Sequence, residues 1–168
     1  MINSVLRIVY QDLENRKQNM AHDLKPQDPD FEKRVRENFA QQKVMGLIGA
    51  ALVQVAPGVV EIEVTAREDL TQQDGFVHAG IVTTILDSAC GYAAYTLMPA
   101  GSSVLSVEFK VNLLAPAVGN KINALAEVKR AGRTLTVCSA DAFADGKLCA
   151  TMLATMMCLG RVASEPLK

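Results

Sequence analysis

Residues 75–95, GFVHAGIVTTILDSACGYAAY, hold one long helix, opened by His78-Ala79-Gly80, that carries almost no charge. At 100° per residue, Ile81, Val82, Ile85, Leu86, Ala89, Cys90, Ala93 and Leu97 share one broad arc. Gly80, Thr83, Thr84, Asp87, Ser88, Gly91 and Tyr95 share the other. A helix facing water would place Lys and Glu on that second arc, for propensity and solubility. Thr, Ser and two glycines instead make a surface that something approaches closely. Such a helix needs cover on both sides: a sheet over the apolar arc, and a substrate or a second subunit over the small polar one.

The rest of the chain supplies the sheet. Val5, Ile8, Val9 and Leu13 recur at helical spacing and predict a short amphipathic N-terminal helix, and residues 22–30, with Pro26 and Pro29, read as a linker. Residues 31–42 predict a second helix, with Asp30 as N-cap and Phe31, Val35 and Phe39 on one stripe, packed at a sheet edge or end. Residues 44–55 and 59–66 are β-rich runs on either side of Pro57-Gly58, which predicts a hairpin. The long helix stops at Pro99 to Gly101. Runs at 103–114, 121–130, 134–144 and 147–159 follow, separated by Pro116/Gly119, Gly132 and Asp145-Gly146, the last a strong hairpin signal.

Strands on both sides of one apolar helix predict an α+β fold in which an antiparallel sheet wraps around that helix. Alternating Glu61/Glu63, Glu108/Lys110/Asn112 and Glu127/Lys129 mark a polar outer face. Residues 148–159 show little alternation, so that strand is expected to be covered on both sides, by a second chain on the outer one. The resulting division is an N-terminal extension and linker over 1–30, one domain over 31–160 and a tail over 161–168.

Composition removes several function classes. A chain of 168 residues with 49% hydrophobic content builds one ordinary domain, and a net charge of −1 offers no field for nucleic acid phosphates or anionic lipid. The four cysteines, Cys90, Cys138, Cys149 and Cys158, sit in apolar runs without metal-ligand spacing, so free thiols in a reducing compartment are expected and no metal site. The apolar run at 5–10 is broken by Arg7 and followed by Asp12 and Glu14, too short and too acidic for a signal peptide or membrane span. The expected location is the cytoplasm.

The exception within the helix is Asp87. An ionised carboxylate among apolar neighbours costs several kcal/mol to bury unless it is paired or used. Two readings stand side by side: a structural contact with nearby backbone or the Ser88 hydroxyl, or a reactive group.

Its surroundings carry a family resemblance. Gln72-x-x-Gly75-x-x-His78-Ala79-Gly80, Asp87 nine residues after His78, Gly91-Tyr-Ala-Ala, then Val104-Leu-Ser-Val-Glu108 and Leu114-Ala-Pro116 resemble the hotdog-fold acyl-CoA thioesterases of the phenylacetate-degradation (PaaI-like) type. The resemblance spans roughly residues 31–160. It implies a thioester hydrolase acting on a small, medium-chain or aromatic acyl-CoA, assembled as a homodimer or dimer of dimers, with no cofactor beyond the coenzyme A of the substrate. By the same resemblance Asp87 is the acid that acts on the thioester, the backbone N–H of Ala79 polarises its carbonyl, Gln72 lies near the thioester or the water, and Ser106 helps place that water. Ala79 stands where the family commonly has Gly, which keeps the amide and adds a Cβ. Gln72 stands where Asn is commoner, and its extra methylene shifts the amide or passes the role to Gln73.

That chemistry is sound on general grounds. Attack on a thioester puts negative charge on the carbonyl oxygen, and the N–H groups at a helix start, here Ala79 and Gly80, suit it. A carboxylate either activates water or attacks the carbonyl itself; the sequence leaves both routes open. Ala79 and Asp87 are eight residues apart, about 12 Å along a helix, too far for both to touch one carbonyl. One chain cannot complete the site, so the partner of each Asp87 is expected to be the helix start of another subunit. His78 reads as a helix cap or local hydrogen-bonding group, with general base as the alternative. Lys129, Arg130 and Arg133 cluster near a turn, either on the coenzyme phosphates or as a solvated surface. Tyr92, Tyr95, Met152, Met156 and Met157 read as packing residues. Two other functions remain open at this level: an enoyl-CoA hydratase or dehydratase on the same fold, and a non-catalytic acyl-CoA sensor.

Overall fold

A computed structural model of the protein describes residues 24–160. The N-terminal helix expected around Val5 to Leu13 and the tail at 161–168 lie outside the described residues. Two helices, α1 (Phe31–Gln41) and α2 (Lys43–Ile48), precede the hairpin β1 (Ala50–Ala56) and β2 (Val59–Thr65). After a 3-10 turn (Glu68–Leu70) comes the long helix α3 (Ala79–Tyr95), then β3 (Ser103–Leu113), β4 (Lys121–Ala131), β5 (Leu135–Ala144) and β6 (Lys147–Leu159). The six strands form one antiparallel sheet in the order β1-β2-β4-β5-β6-β3.

The sheet curls around α3, which touches every strand. Small side chains allow that contact to be close. Ala89 and Ala93 of the helix and Ala124, Ala126, Ala142, Ala150 and Ala154 of the sheet are all fully buried, with Val60, Ile62, Ile85, Leu86, Ile122, Met152 and Met156 filling the space around them. Strand register alternates faces as the pattern predicted: Ile62, Ala124 and Ala142 align on the helix side, and Glu61, Glu63 and Asn123 on the other.

Two local expectations are corrected, and a third concerns a face left open in the single chain. Residues 43–48 are helix rather than strand: Met45 and Ile48, three apart, turn inward, and Gly49 at φ 70° ends the helix in the left-handed conformation before β1 begins. Asp30 occupies the N-cap of α1 without a side-chain cap; Asp28 does the anchoring, accepting the Asp30 N–H at 3.0 Å. β6 buries Met152, Ala154 and Met156 and leaves Leu153 54% exposed, so in the single chain its outer face is open, the face expected to take a second chain.

Residues 24–30 lie along the C-terminal end of α3. Gln27 donates to the Leu97 carbonyl, and Leu24 packs over Gly58, whose φ of 72° and missing Cβ permit the tight β1-β2 turn. Arg34 closes this end. Its Nη groups donate to the carbonyls of Tyr95, Met98 and Pro99, its guanidinium lies 4.2 Å from the centroid of the Tyr95 ring, and its Nε sits 2.7 Å from Asp28 Oδ2, an ion contact too oblique for a hydrogen bond. Cations are favoured where unpaired carbonyls end a helix.

The β5-β6 turn is held by Asp145 (φ 44°), whose carboxylate accepts the amides of Asn120 and Lys121 at 3.0 and 2.9 Å. Those amides, Asn120 first, hold its carboxyl below the usual carboxylate range. A group lowered in the folded state contributes fully above its unfolded value and loses that contribution as pH falls through the folded one. Asp145→Asn, which tolerates the same backbone angle, is therefore expected to lower the urea midpoint at neutral pH. The gap to wild type should close on acidification; a gap constant into strong acid would contradict this.

Candidate active site

The start of α3 is fixed by a short loop. Thr71 bridges Val77, the Gln72 N–H donates to the Phe76 carbonyl at 2.8 Å, and Gly75 makes the turn at φ 83°. The Gln72 side-chain oxygen turns back to the Asp74 N–H, and Gln73 donates to the Asp74 carboxylate. His78 is the N-cap of α3: its Nδ1 accepts the Gly80 N–H at 2.8 Å, so the neutral ring carries its proton on Nε2. A Cβ on Gly80 would lie 2.9 Å from that nitrogen, so the cap needs glycine there. The Gly80 amide is thereby committed to the cap, which corrects its expected share in the oxyanion site. The Ala79 N–H takes no acceptor among the described residues. It faces a largely apolar cavity of about 410 Å³ with Gln72, Phe76, Leu114 and Cys149 in its walls.

Asp87 lies two turns further on and opens into a different cavity, of about 310 Å³. It is half-buried there rather than enclosed by apolar side chains, and Ser106 of β3 donates to its Oδ1 at 2.6 Å. A β-bulge at Val107, between Ser106 and Glu108, interrupts the strand at this point, as bulges do where a side chain must be aimed. Among the described residues none lines both cavities. The four expected reactive groups therefore fall into two pairs within one chain: Ala79 with Gln72, and Asp87 with Ser106.

Other expected residues sit elsewhere. Arg130 and Arg133 are exposed at the β4-β5 turn and line neither cavity; that end of the sheet is beside Thr96, the C-cap of α3. Lys129 is drawn to Glu127 on its own strand. Tyr95, expected on the polar arc, is buried and donates to the Ser102 carbonyl. Tyr92, expected only to pack, also lines the Asp87 cavity; its hydroxyl reaches Asn38 and Gln42, and burial, helped by Tyr95, pushes it up to about 12. Asn38 and Gln42 were not legible as site residues, although their four-residue spacing places two amides on one side of α1. Burial raises Cys90 and Cys138 well above the usual thiol range, so neither is a nucleophile at neutral pH. All four cysteines are free. Among the described residues no helix is long and apolar enough to cross a membrane.

Comparison with known proteins decides the family. Residues 74–150 match the model of the thioesterase superfamily. Acyl-coenzyme A thioesterase 13 of Homo sapiens is 33% identical over 112 residues, 65% of this chain and 78% of that protein. The chain belongs to the thioesterase superfamily. A crystal structure of a thioesterase family protein from Silicibacter pomeroyi is 52% identical, covering 77% of this chain and 98% of that one with a TM-score of 0.75. The E. coli PaaI protein of the phenylacetic acid degradation operon shares the fold at 15% identity and TM-score 0.73, over 79% of this chain and 96% of that one. The fold is the hotdog, and the protein is a thioester hydrolase. The hydratase and the non-catalytic sensor are thereby set aside.

In this thioesterase His78 spends Nδ1 on the helix start. Removing that cap with His78→Ala is expected to cost about 1 kcal/mol of stability, and His78→Asn, which can also cap, to restore most of it. Thermal denaturation of both variants checks this; equal destabilisation would refute the capping role.

Proposed function

We propose that this thioesterase hydrolyses acyl-CoA to the free acid and coenzyme A, in sites each completed by two copies of the chain. The observation that supports this most directly is the division of the reactive groups between two cavities on one helix: an uncommitted amide at Ala79 and a carboxylate at Asp87 with its Ser106 partner. A second helix running the opposite way, related by a two-fold axis, sets the Ala79 amide of one copy against the Asp87 of the other and makes two equivalent sites.

The edge strand gives the reason for pairing. Among the described residues β3 bonds only to β6, and its helix-side residues Phe109 and Leu113 are 43% and 57% exposed in the single chain. A long, apolar, unpaired edge is a template for another strand unless something covers it. Ser106 lies on that same strand, so covering the edge and assembling the site are one event.

In the proposed reaction, Ser106 holds Asp87 through Oδ1 and leaves Oδ2 for a water. Asp87 takes a proton as the water oxygen bonds to the thioester carbon. The negative oxygen rests on the partner's Ala79 N–H and the positive end of its helix, with Gln72 beside it. The C–S bond then breaks, and the proton held by Asp87 passes to the departing coenzyme A thiolate. Water and protein groups suffice; no cofactor enters. The name of the acyl-coenzyme A thioesterase 13 relative favours a coenzyme A thioester as substrate. Arg130 and Arg133, away from both cavities, are proposed for the coenzyme phosphates only by way of a partner chain.

Asp87→Ala is expected to abolish release of free coenzyme A while the assembly persists in ultracentrifugation; an unaffected rate would end the proposal. A sharper test uses Ala79→Pro. Proline is well accepted as the first residue of a helix, and His78 already has the extended backbone (ψ 136°) that precedes proline, so the change deletes one N–H and little else. Its expected cost in kcat is about a hundredfold or more. Mixing Asp87→Ala with Ala79→Pro subunits should restore about a quarter of wild-type activity, because half the dimers are mixed and each mixed dimer has one intact site. No recovery on mixing would place both groups in one chain's site.

A further inference from the structure

Thr83, Thr84 and Ser88 on α3 and Thr96 at its C-cap are short hydroxyl side chains, and the three threonines bond back to the helix. Thr83 donates to the Ala79 carbonyl at 2.8 Å, Thr84 to the Gly80 carbonyl at 2.7 Å and Thr96 to the Ala93 carbonyl at 2.7 Å. A carbonyl of the preceding turn is the ordinary partner of such a group. Ser88 departs from the pattern. Its residue is only 7% exposed, yet its hydroxyl has no partner among the described residues. A hydroxyl withdrawn from water and left unpaired is costly. Among the described residues, Arg34 Nε is the one side-chain polar atom that is both sealed and without a hydrogen bond, so Ser88 Oγ is not sealed. The space it meets is the cavity that Ser88 lines together with Asp87 and Ser106.

Gly91 lines that cavity too, four residues after Asp87 and three after Ser88, the position on the helix surface that adjoins both. A helical Cβ leans toward the N-terminus, so a side chain at 91 would rise over the two groups. A Cβ built there would meet nothing within 4 Å. Glycine thus keeps open a place that no protein atom fills, beside a carboxylate oxygen and an unpaired hydroxyl.

We propose that Ser88 is a catalytic residue that holds the hydrolytic water jointly with Asp87, in the space kept open by Gly91. This role rests on the thioesterase reading of Asp87 and adds a second contact to its water. The water gives one hydrogen to Asp87 Oδ2, the general base, and the other to Ser88 Oγ as acceptor, which turns a lone pair toward the thioester carbon. Ser88 neither gains nor loses a proton. The proton goes to Asp87 and then to the coenzyme A thiolate, and Ser106 stays on Asp87 Oδ1.

Ser88→Ala separates this role from a structural one, because the two predict opposite changes in stability. Removing an unpaired hydroxyl and installing a better helix former is expected to leave Tm equal to that of wild type or higher. In the same full-length variant, kcat for hexanoyl-CoA and phenylacetyl-CoA should fall about tenfold or more with KM nearly unchanged, since the water loses its orientation and the substrate keeps its contacts. Ser88→Cys retains the shape and supplies only a weak acceptor, so it should lose most of the same kcat. Wild-type kcat in Ser88→Ala would overturn the proposal. So would wild-type kcat in Ser88→Cys, which would make the effect one of volume, a Tm lowered along with kcat, which would make Ser88 a structural contact, or a raised KM with kcat kept, which would put Ser88 on the substrate. Failure of the hydrolase reading is distinct: no coenzyme A released by wild type, or an unaffected rate in Asp87→Ala.

Discussion

The close seating of α3 in its sheet is the contact on which the rest of the molecule depends. Alanine faces alanine across that interface, and each is fully buried. A helix packed this near the sheet turns one arc wholly inward, and at 3.6 residues per turn its opposite arc must then face out. That arc carries Asp87 and Gly91, with the uncommitted Ala79 amide at its start. A larger residue at Ala89 or Ala93 would lift the helix and move the acid relative to Ser106, which is anchored on β3 rather than on the helix. The short Ser106 to Asp87 contact is thus a readout of how well the core is packed.

The same geometry explains why the proposed site needs two chains. Helical rise separates the Ala79 amide from the Asp87 carboxylate, and no local rearrangement brings them together without breaking the helix. The bonding pattern at the helix start sharpens the division of labour. His78 consumes the Gly80 amide, and this leaves one donor, at Ala79, rather than a diffuse set. In the proposed reaction a single oriented donor at a helix terminus is a stronger constraint on the thioester than two competing ones, because it fixes where the oxyanion forms.

Much of this was legible in the sequence, for identifiable reasons. Helix arcs, breakers and alternating charges are local signals, and they gave α1, α3, the hairpins and the polar outer face of the sheet. The helix at 43–48 was misread because Val44, Met45, Leu47 and Ile48 have strand-like composition; the deciding features were the inward pair Met45 and Ile48 and a left-handed Gly49. Asp87 was read on the small polar arc, and in the single chain it is half-buried. An apolar sequence neighbourhood describes the helix's other face, whereas Asp87 itself opens into a cavity. Ser106 came only from family resemblance, since nothing on β3 announces that it meets a residue 19 positions earlier. The Tyr92 contact with Asn38 crosses 54 positions and two elements, and pattern along the chain carries no trace of it.

That distant contact depends in turn on how α1 is held. Phe39 packs edge-on against Tyr92, with ring centroids 5.6 Å apart, and Arg34 ties α1 to the carbonyls that end α3. Asp28 compensates the arginine in a nearly buried pair whose desolvation would be costly for either charge alone. The two attachments differ in kind: the aromatic contact sets the distance between α1 and α3, whereas the arginine, bound to a helix terminus, sets the position of α1 along the axis. Together they determine where Asn38 and Gln42 stand relative to Asp87. The helix expected to pack at a sheet edge or end is therefore part of the wall of the Asp87 cavity, and changes at Arg34 or Asp28 act on that cavity by moving its wall.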